Sequence, residues 1–286
     1  MKLRYTREQV ERWRDRVHRR TPRLAVATPR QALAFINEVG FCFAFKSDHS
    51  ELPCLWHAVA GARHPIVPEH THHDPAISFV WEMKEKLPGE RKVYYGRLLK
   101  HRPTMVSLEY LSYFFVLSGR TGMKDEHGRD FGRGRISSVG RDIMDALAEQ
   151  SPQPTKGLKL ATGLDRKADR PAFDKAITEL QEKMYLAKVA EEHTPFSFVW
   201  APMRHCYPEQ VRRARRIAAD AARVRILRRY FHNQLLASVP AIHRLFRWQK
   251  QDVYRALGTL VGEGAISPNA SIVDEPGRYY CLIERD

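Results

Sequence analysis

The sequence has few cysteines, no long apolar run and too few acids to balance its bases. The four cysteines in 286 residues, Cys42, Cys54, Cys206 and Cys281, form no Cys-x-x-Cys pair and follow no regular spacing. That argues against a zinc finger or a disulfide framework and leaves them as reduced, mostly buried thiols. The longest apolar candidate, Tyr110 to Leu117, is under half of the roughly 18 to 20 residues a membrane span needs. The basic N-terminus is not followed by an apolar stretch, so it does not read as a secretory signal, and a cytoplasmic protein is expected. No P-loop, dinucleotide-binding glycine pattern or Ser/His/Asp signature is present. Hydrolase, NTPase and dehydrogenase readings therefore lack local support, and neither a cofactor nor a metal is expected.

The shortage of acids is the most informative of these. Forty-eight Lys and Arg against 33 Asp and Glu give a net charge of +15, which in a soluble folded chain of this size suggests a polyanionic partner. The excess is clustered. Residues 1–30 hold ten bases against Glu8, Glu11 and Asp15, and residues 204–232 hold nine arginines against Glu209 and Asp220, so each segment carries +7. The rest of the chain is nearly neutral. An Arg-rich proteome would raise the charge everywhere, so the clustering favours two basic surfaces over compositional bias.

Periodicity and punctuation predict a mainly α protein with small β wings. A helix is expected from Thr6 to Arg20 and another from Thr28 to Glu38, closed by Gly40, with Pro29 in its first turn. A short helix at Leu52 to Ala60, a His- and Pro-rich loop, a strand from Lys92, a turn at His101 to Pro103, a second strand and a helix from Glu109 to Leu117 complete an N-terminal domain, residues 1–118. Five glycines mark residues 119–136 as a linker. Three helices (Ser137 to Ala148, Thr155 to Thr162, Arg170 to Met184) and two short strands then give residues 137–203 the element order of a winged helix. Residues 204–286 repeat it, with a long arginine-rich first helix, Val211 to Phe231, then Ser238 to Phe246, Gln249 to Glu263 and a wing. Tandem winged helices are the expected architecture.

In a winged helix the third helix enters the major groove, while the wing and the end of the first helix contact phosphates. The candidate DNA-binding residues are Arg97, Arg102, Arg166, Lys167, Arg170 and Lys175, then Arg212, Arg215, Arg216, Arg223 and Arg225 on the arginine-rich helix, and Lys250 and Arg255 on the last recognition helix. Solvated faces and protein-docking winged helices carry such residues too. Clustered guanidinium groups repel one another in a free protein, so an anionic ligand would relieve that repulsion. Double-stranded DNA is the partner expected. Near His64, the run His70-Thr-His72-His73-Asp74 has a superficial likeness to the ligand run of zinc hydrolases, but its spacing is wrong and no clear strand precedes it. A polar loop is the better reading.

In this layout the chain resembles the AlkZ and YcaQ family of winged-helix DNA glycosylases, which remove alkylated bases and unhook interstrand crosslinks. The residues that carry the likeness are Ala32-Leu-Ala-Phe-Ile-Asn-Glu-Val-Gly40, Leu55-Trp56 and Arg102-Pro-Thr104-Met-Val106. It is greatest to AlkZ-related proteins of unassigned activity that lack the family's catalytic motif. In the catalytic members, a Gln-aliphatic-Gln or Gln-aliphatic-Asp motif after that glycine positions the attacking water. Here the resemblance places Phe43 and Phe45 at those two positions, as core or as an apolar stacking surface. A cationic N7-alkylated guanine leaves readily, so such an enzyme mainly needs a group that places water and stabilises an oxocarbenium-like centre. Glu51 and Asp48, with His49 between them, lie just beyond and could supply a shifted carboxylate, or be loop residues. The resemblance thus implies a protein that binds damaged or alkylated duplex DNA. A sequence-specific transcription regulator, a glycosylase with a shifted carboxylate and a protein-binding adaptor remain open beside it.

Overall fold

Helices joined by small sheets build the chain, in a computed structural model that describes residues 3–45, 52–67, 69 and 74–283. In order the elements are β1 (Leu3–Tyr5), α1 (Arg7–Val17), α2 (Pro29–Val39), β2 (Phe41–Phe43), α3 (Leu55–Ala60), α4 (Pro75–Gly89), β3 (Val93–Leu99), β4 (Arg102–Ser107), α5 (Leu108–Leu117), α6 (Glu126–Gly132), α7 (Ser138–Glu149), β5 (Gln153–Pro154), α8 (Thr155–Ala161), α9 (Arg170–Glu182), β6 (Leu186–His193), β7 (Phe196–Pro202), α10 (Met203–Cys206), α11 (Pro208–Ala214), α12 (Ala219–Gln234), β8 (Leu236–Ala237), α13 (Val239–Phe246), α14 (Lys250–Gly262), β9 (Ile266–Ile272) and β10 (Tyr279–Leu282).

Local chemistry sets many of the boundaries. Thr6 and Thr28 each close a capping box, with Gln9 and Gln31 as the reciprocal partners. Ser107, Ser137 and Ser238 cap α5, α7 and α13. Gly40 ends α2 at φ 77°, a left-handed conformation that suits glycine. α4 falls where sequence reading expects only loop before Lys92. Asp74 Oδ1 accepts from the Ile77 amide at 2.7 Å, and Ile77, Val80, Met83 and Leu87 are buried at helical spacing.

The chain divides into two compact units, Met1–Met83 with Ala218–Asp286, and Lys84–Ile217. This cuts across the expected division at 118, 136 and 203. In the first unit, β1 runs parallel to β9, pairing Leu3 with Ala270 and Tyr5 with Ile272, in a sheet ordered β1-β9-β10-β8. The first strand is thus built into the last wing. Behind it, α1 packs on α12, and the Trp13 indole donates to the His232 carbonyl at 2.8 Å. His18 bonds the Asn233 carbonyl through Nε2, also at 2.8 Å.

In the second unit α7, α8 and α9 precede the antiparallel pair β6–β7, and β5 adds a third strand beside β7. Ile143, Leu147, Leu158, Phe173, Leu180 and Leu186 form its core. Helices α12, α13 and α14 precede β9–β10 in the first unit in the same order. Both runs have the element sequence of a winged helix, and the whole is mainly α with small sheets.

Two expected elements differ. The segment 119–136, read as a linker, contains α6, with Glu126, His127 and Asp130 buried. Residues 120–122 turn around its first carboxylate. Glu126 accepts from the Arg120 guanidinium at 3.0 Å, from the Thr121 amide at 2.5 Å and from the Gly122 amide at 2.8 Å. Burial alone would raise the Glu126 pKa, but these three donors outweigh it and hold the group below the usual carboxylate range. The arginine-rich helix is not one helix either. It breaks after Ala214 and resumes at Ala219, so Arg212, Arg215 and Arg216 lie in one unit and Arg223 and Arg225 in the other. The apolar face changes phase there. Val211 and Ala214 are buried before the break, and Ala222, Ile226, Leu227, Tyr230 and Phe231 after it. A single helix through Ile217, Ala221 and Val224 would leave that second face in solvent.

Candidate nucleic-acid interface

In the second unit, the expected recognition helix α9 begins at a cationic corner. Arg166 and Lys167 precede it and Lys175 lies in its second turn; all three are exposed and form no ion pair among the described residues. Arg170 is also exposed and lies 3.5 Å from the Asp174 carboxylate. The other half of α9 is not open. It packs on β3, where the Gln181 side-chain oxygen accepts from the Arg97 amide at 3.2 Å. Only the N-terminal turns of α9 are therefore exposed for groove contact.

Arg97 and Arg170, far apart in sequence, line one cavity of about 410 Å³ with Tyr95, Phe173, Phe198 and Trp200. Gly96, also in the lining, lies against the buried Tyr94 hydroxyl, which a Cβ there would strike. Lys188 also lines this cavity, its side chain only 2% exposed. Its ammonium donates to the Lys84 carbonyl at 2.9 Å and to Glu191, and sits 4.6 Å from the Tyr95 ring centre and 5.3 Å from that of Phe198. Burial pulls its pKa down against the opposing pull of Glu191, to about 8. Lys188, Phe198 and Trp200 are not among the candidates the sequence marks. The alternation Phe196-Ser-Phe198-Val-Trp200 was a legible signal for an aromatic strand face, whereas nothing local marks a lysine for burial.

The remaining candidates are placed unequally. Arg102 opens β4, half-buried. Arg212 and Arg216 are exposed with no ion pair among the described residues, but Arg215 donates to the Thr121 and Gly122 carbonyls at 2.9 and 3.5 Å. In the first unit Lys250 is exposed at the start of α14. Arg223 and Arg255 are held by acids: Arg223 lies 3.0 Å from Asp220 and 2.9 Å from Asp252, and Arg255 3.2 Å from Asp220 and 3.3 Å from Asp252. Arg225 is half-buried on α12.

The N-terminal basic segment is also partly consumed internally. Arg20, 2% exposed, pairs with Glu11 and Asp15, Arg14 with Glu11, Arg19 with Glu38 and Arg7 with Glu275. Its +7 is thus not wholly a surface charge.

Phe43 is 1% exposed in β2, and its amide donates to the Pro53 carbonyl at 2.9 Å. Phe45 meets Trp81 edge to face, with ring centres 6.5 Å apart. Asp48, Glu51, His70, His72 and His73 lie outside the described residues. Among the described residues no group of three or more His, Cys, Asp or Glu is placed to hold a metal, and no helix is long and apolar enough to cross a membrane.

A family profile described as AlkZ related matches residues 26–247. The chain belongs to the AlkZ-related family. The match spans both units and includes the Gly40 helix end, Trp56 and the β3–β4 hairpin. Among solved structures, the DNA glycosylase AlkZ of Streptomyces sahachiroi has a similar fold, with a TM-score of 0.62 and 10% identity over 98% of this chain and 70% of that one. No match was found among curated protein sequences. At 10% identity the AlkZ likeness speaks for the fold of this AlkZ-related chain, and its chemistry has to be argued from the side chains present.

Proposed function

We propose that this AlkZ-related protein binds duplex DNA carrying damaged or alkylated bases and does not position a hydrolytic water at the place where its catalytic relatives do. The observation that carries the second half is the environment of the two phenylalanines. With Gly40 aligned to the helix end that precedes the catalytic motif, Phe43 and Phe45 occupy the two polar positions. One ring is buried and the other packs on Trp81. Neither can accept a proton or orient water. Support for DNA comes from the family and from exposed cations at the start of both third helices, Arg166, Lys167 and Lys175 before and on α9 and Lys250 on α14.

The test incubates purified protein with undamaged and N7-alkylated duplexes across a salt series, measuring both binding and abasic-site formation. The expected result is salt-dependent binding that favours the alkylated duplex, with no abasic sites above the protein-free control. Base release that Glu51→Gln or Asp48→Asn abolishes would replace this reading with a glycosylase using a shifted carboxylate. Preference for one undamaged sequence over random duplex would replace it with a transcription regulator. Weak, salt-insensitive binding would leave a protein-docking adaptor.

A further inference from the structure

The wing of the second unit carries an aromatic series that the groove-binding picture does not use. Phe196, Phe198 and Trp200 occupy alternate positions of β7 and so share one face of the sheet. Their rings meet edge to face, with centres 5.2 Å apart from Phe196 to Phe198 and 5.7 Å from Phe198 to Trp200. Phe196 at the wing tip is 59% exposed and Trp200 only 4%, so the series runs from solvent down into the cavity that Phe198 and Trp200 line. A large aromatic ring left exposed at a loop tip contributes little to folding, and Phe196 offers an exposed ring for stacking.

Cations accompany the rings. The ammonium groups of Lys84 and Lys188, both paired with Glu191, lie 5.7 and 5.3 Å from the Phe198 ring centre, while Arg97 and Arg170 are exposed at the cavity margin, Arg170 beside Asp174. Aromatic faces interleaved with positive charge are what an unpaired nucleic-acid strand requires. Every base has a π-face to stack, and every sugar is followed by a phosphate. The volume of about 410 Å³ falls within the roughly 300–1,000 Å³ range of small-molecule sites. We propose that the β7 face and the cavity below it hold an unpaired base of a DNA strand, with its neighbouring phosphate met by Arg97 and Arg170. This deepens the reading above and rests on it for the choice of DNA. It assigns an additional subsite, separate from the Phe43 region, in which a base displaced from the duplex is stacked rather than cleaved.

The probe is a single-stranded DNA octamer with one central 2-aminopurine, whose fluorescence falls on stacking. Phe196→Ala removes an exposed ring, and Thr178→Trp fills the cavity from α9; circular dichroism checks that each variant folds. Wild type is expected to bind the octamer and quench it. Each variant should bind about tenfold more weakly, the order of one base–aromatic stack, and lose the quench. Absence of octamer binding by wild type, or unchanged affinity and quench in Phe196→Ala, overturns the proposal. Duplex binding measured in parallel separates the two readings. If duplexes bind and the octamer site fails, only the stacking subsite falls; if the octamer behaves as expected while duplexes do not bind, the subsite stands and the duplex reading falls.

Discussion

The salt dependence of DNA binding should follow the cations left outside ion pairs, not those most densely clustered in sequence. Arg166, Lys167 and Lys175 are exposed with no ion pair among the described residues, whereas Arg223 and Arg255 are held between Asp220 and Asp252. Each phosphate contact contributes about 0.9 to the slope of log affinity against log salt. Replacing Arg166, Lys167 and Lys175 together by Ala should therefore lower that slope by about 2.7. Between 50 and 200 mM salt the wild type should lose about 40-fold more affinity than this variant. Fluorescence anisotropy on a 20-bp duplex at five salt concentrations measures the slope. The comparison variant, Arg223→Ala with Arg255→Ala, removes two arginines already paired with acids. It should leave the slope nearly unchanged and cost about 1 kcal/mol of stability, since partly exposed ion pairs contribute little each. Equal slopes in wild type and the triple variant, or a fall of about two in the paired variant, would refute the assignment of phosphate contacts by available charge.

Three further outcomes follow from buried groups. Glu126→Gln removes the carboxylate that Arg120, Thr121 and Gly122 share and leaves a buried guanidinium uncompensated, which should destabilise the protein by about 3 kcal/mol in urea titrations. His18 is 1% exposed; burial and then the nearby Arg20 and Arg14 charges hold its pKa well below 6.5. The unfolded chain takes up that proton as pH falls through about 6.5 while the folded chain does not, so stability is lost toward low pH, by about 1.4 kcal/mol per unit from this group. His18→Gln should remove that share of the slope in denaturation midpoints measured from pH 7.5 to 5.5. All four cysteines are buried and burial raises each thiol pKa, to about 12 for Cys54 and Cys206. A colorimetric disulfide reagent should accordingly react slowly with native protein and rapidly with all four thiols in denaturant.

Several helix starts are written locally, because a Thr or Ser cap and a Pro in the first turn act within four residues. Thr6, Thr28, Ser137 and Ser238 needed no distant partner to be read. The winged-helix order is written the same way, since three amphipathic runs before a β hairpin are visible as periodicity. The candidate interface was legible in part: Arg97 and Arg170 were singled out, but not that one cavity joins them to Lys188 and Trp200. Pairing across many residues emerges only on folding. β1 is three residues long and has no alternation to read, and its place comes from hydrogen bonds to β9 more than 260 residues later. The break between α11 and α12 was hidden because arginine suits both helix and turn, and only the buried face shows the change of phase. Charge showed the same limit. Counting assigned +7 to each of two segments, but an arginine's availability depends on which carboxylate folding brings beside it. Glu11 and Asp15 neutralise Arg20 within one segment, and Asp252 holds Arg223 from another helix. Net charge is additive along a chain; exposed, unpaired charge is a property of the packed surface.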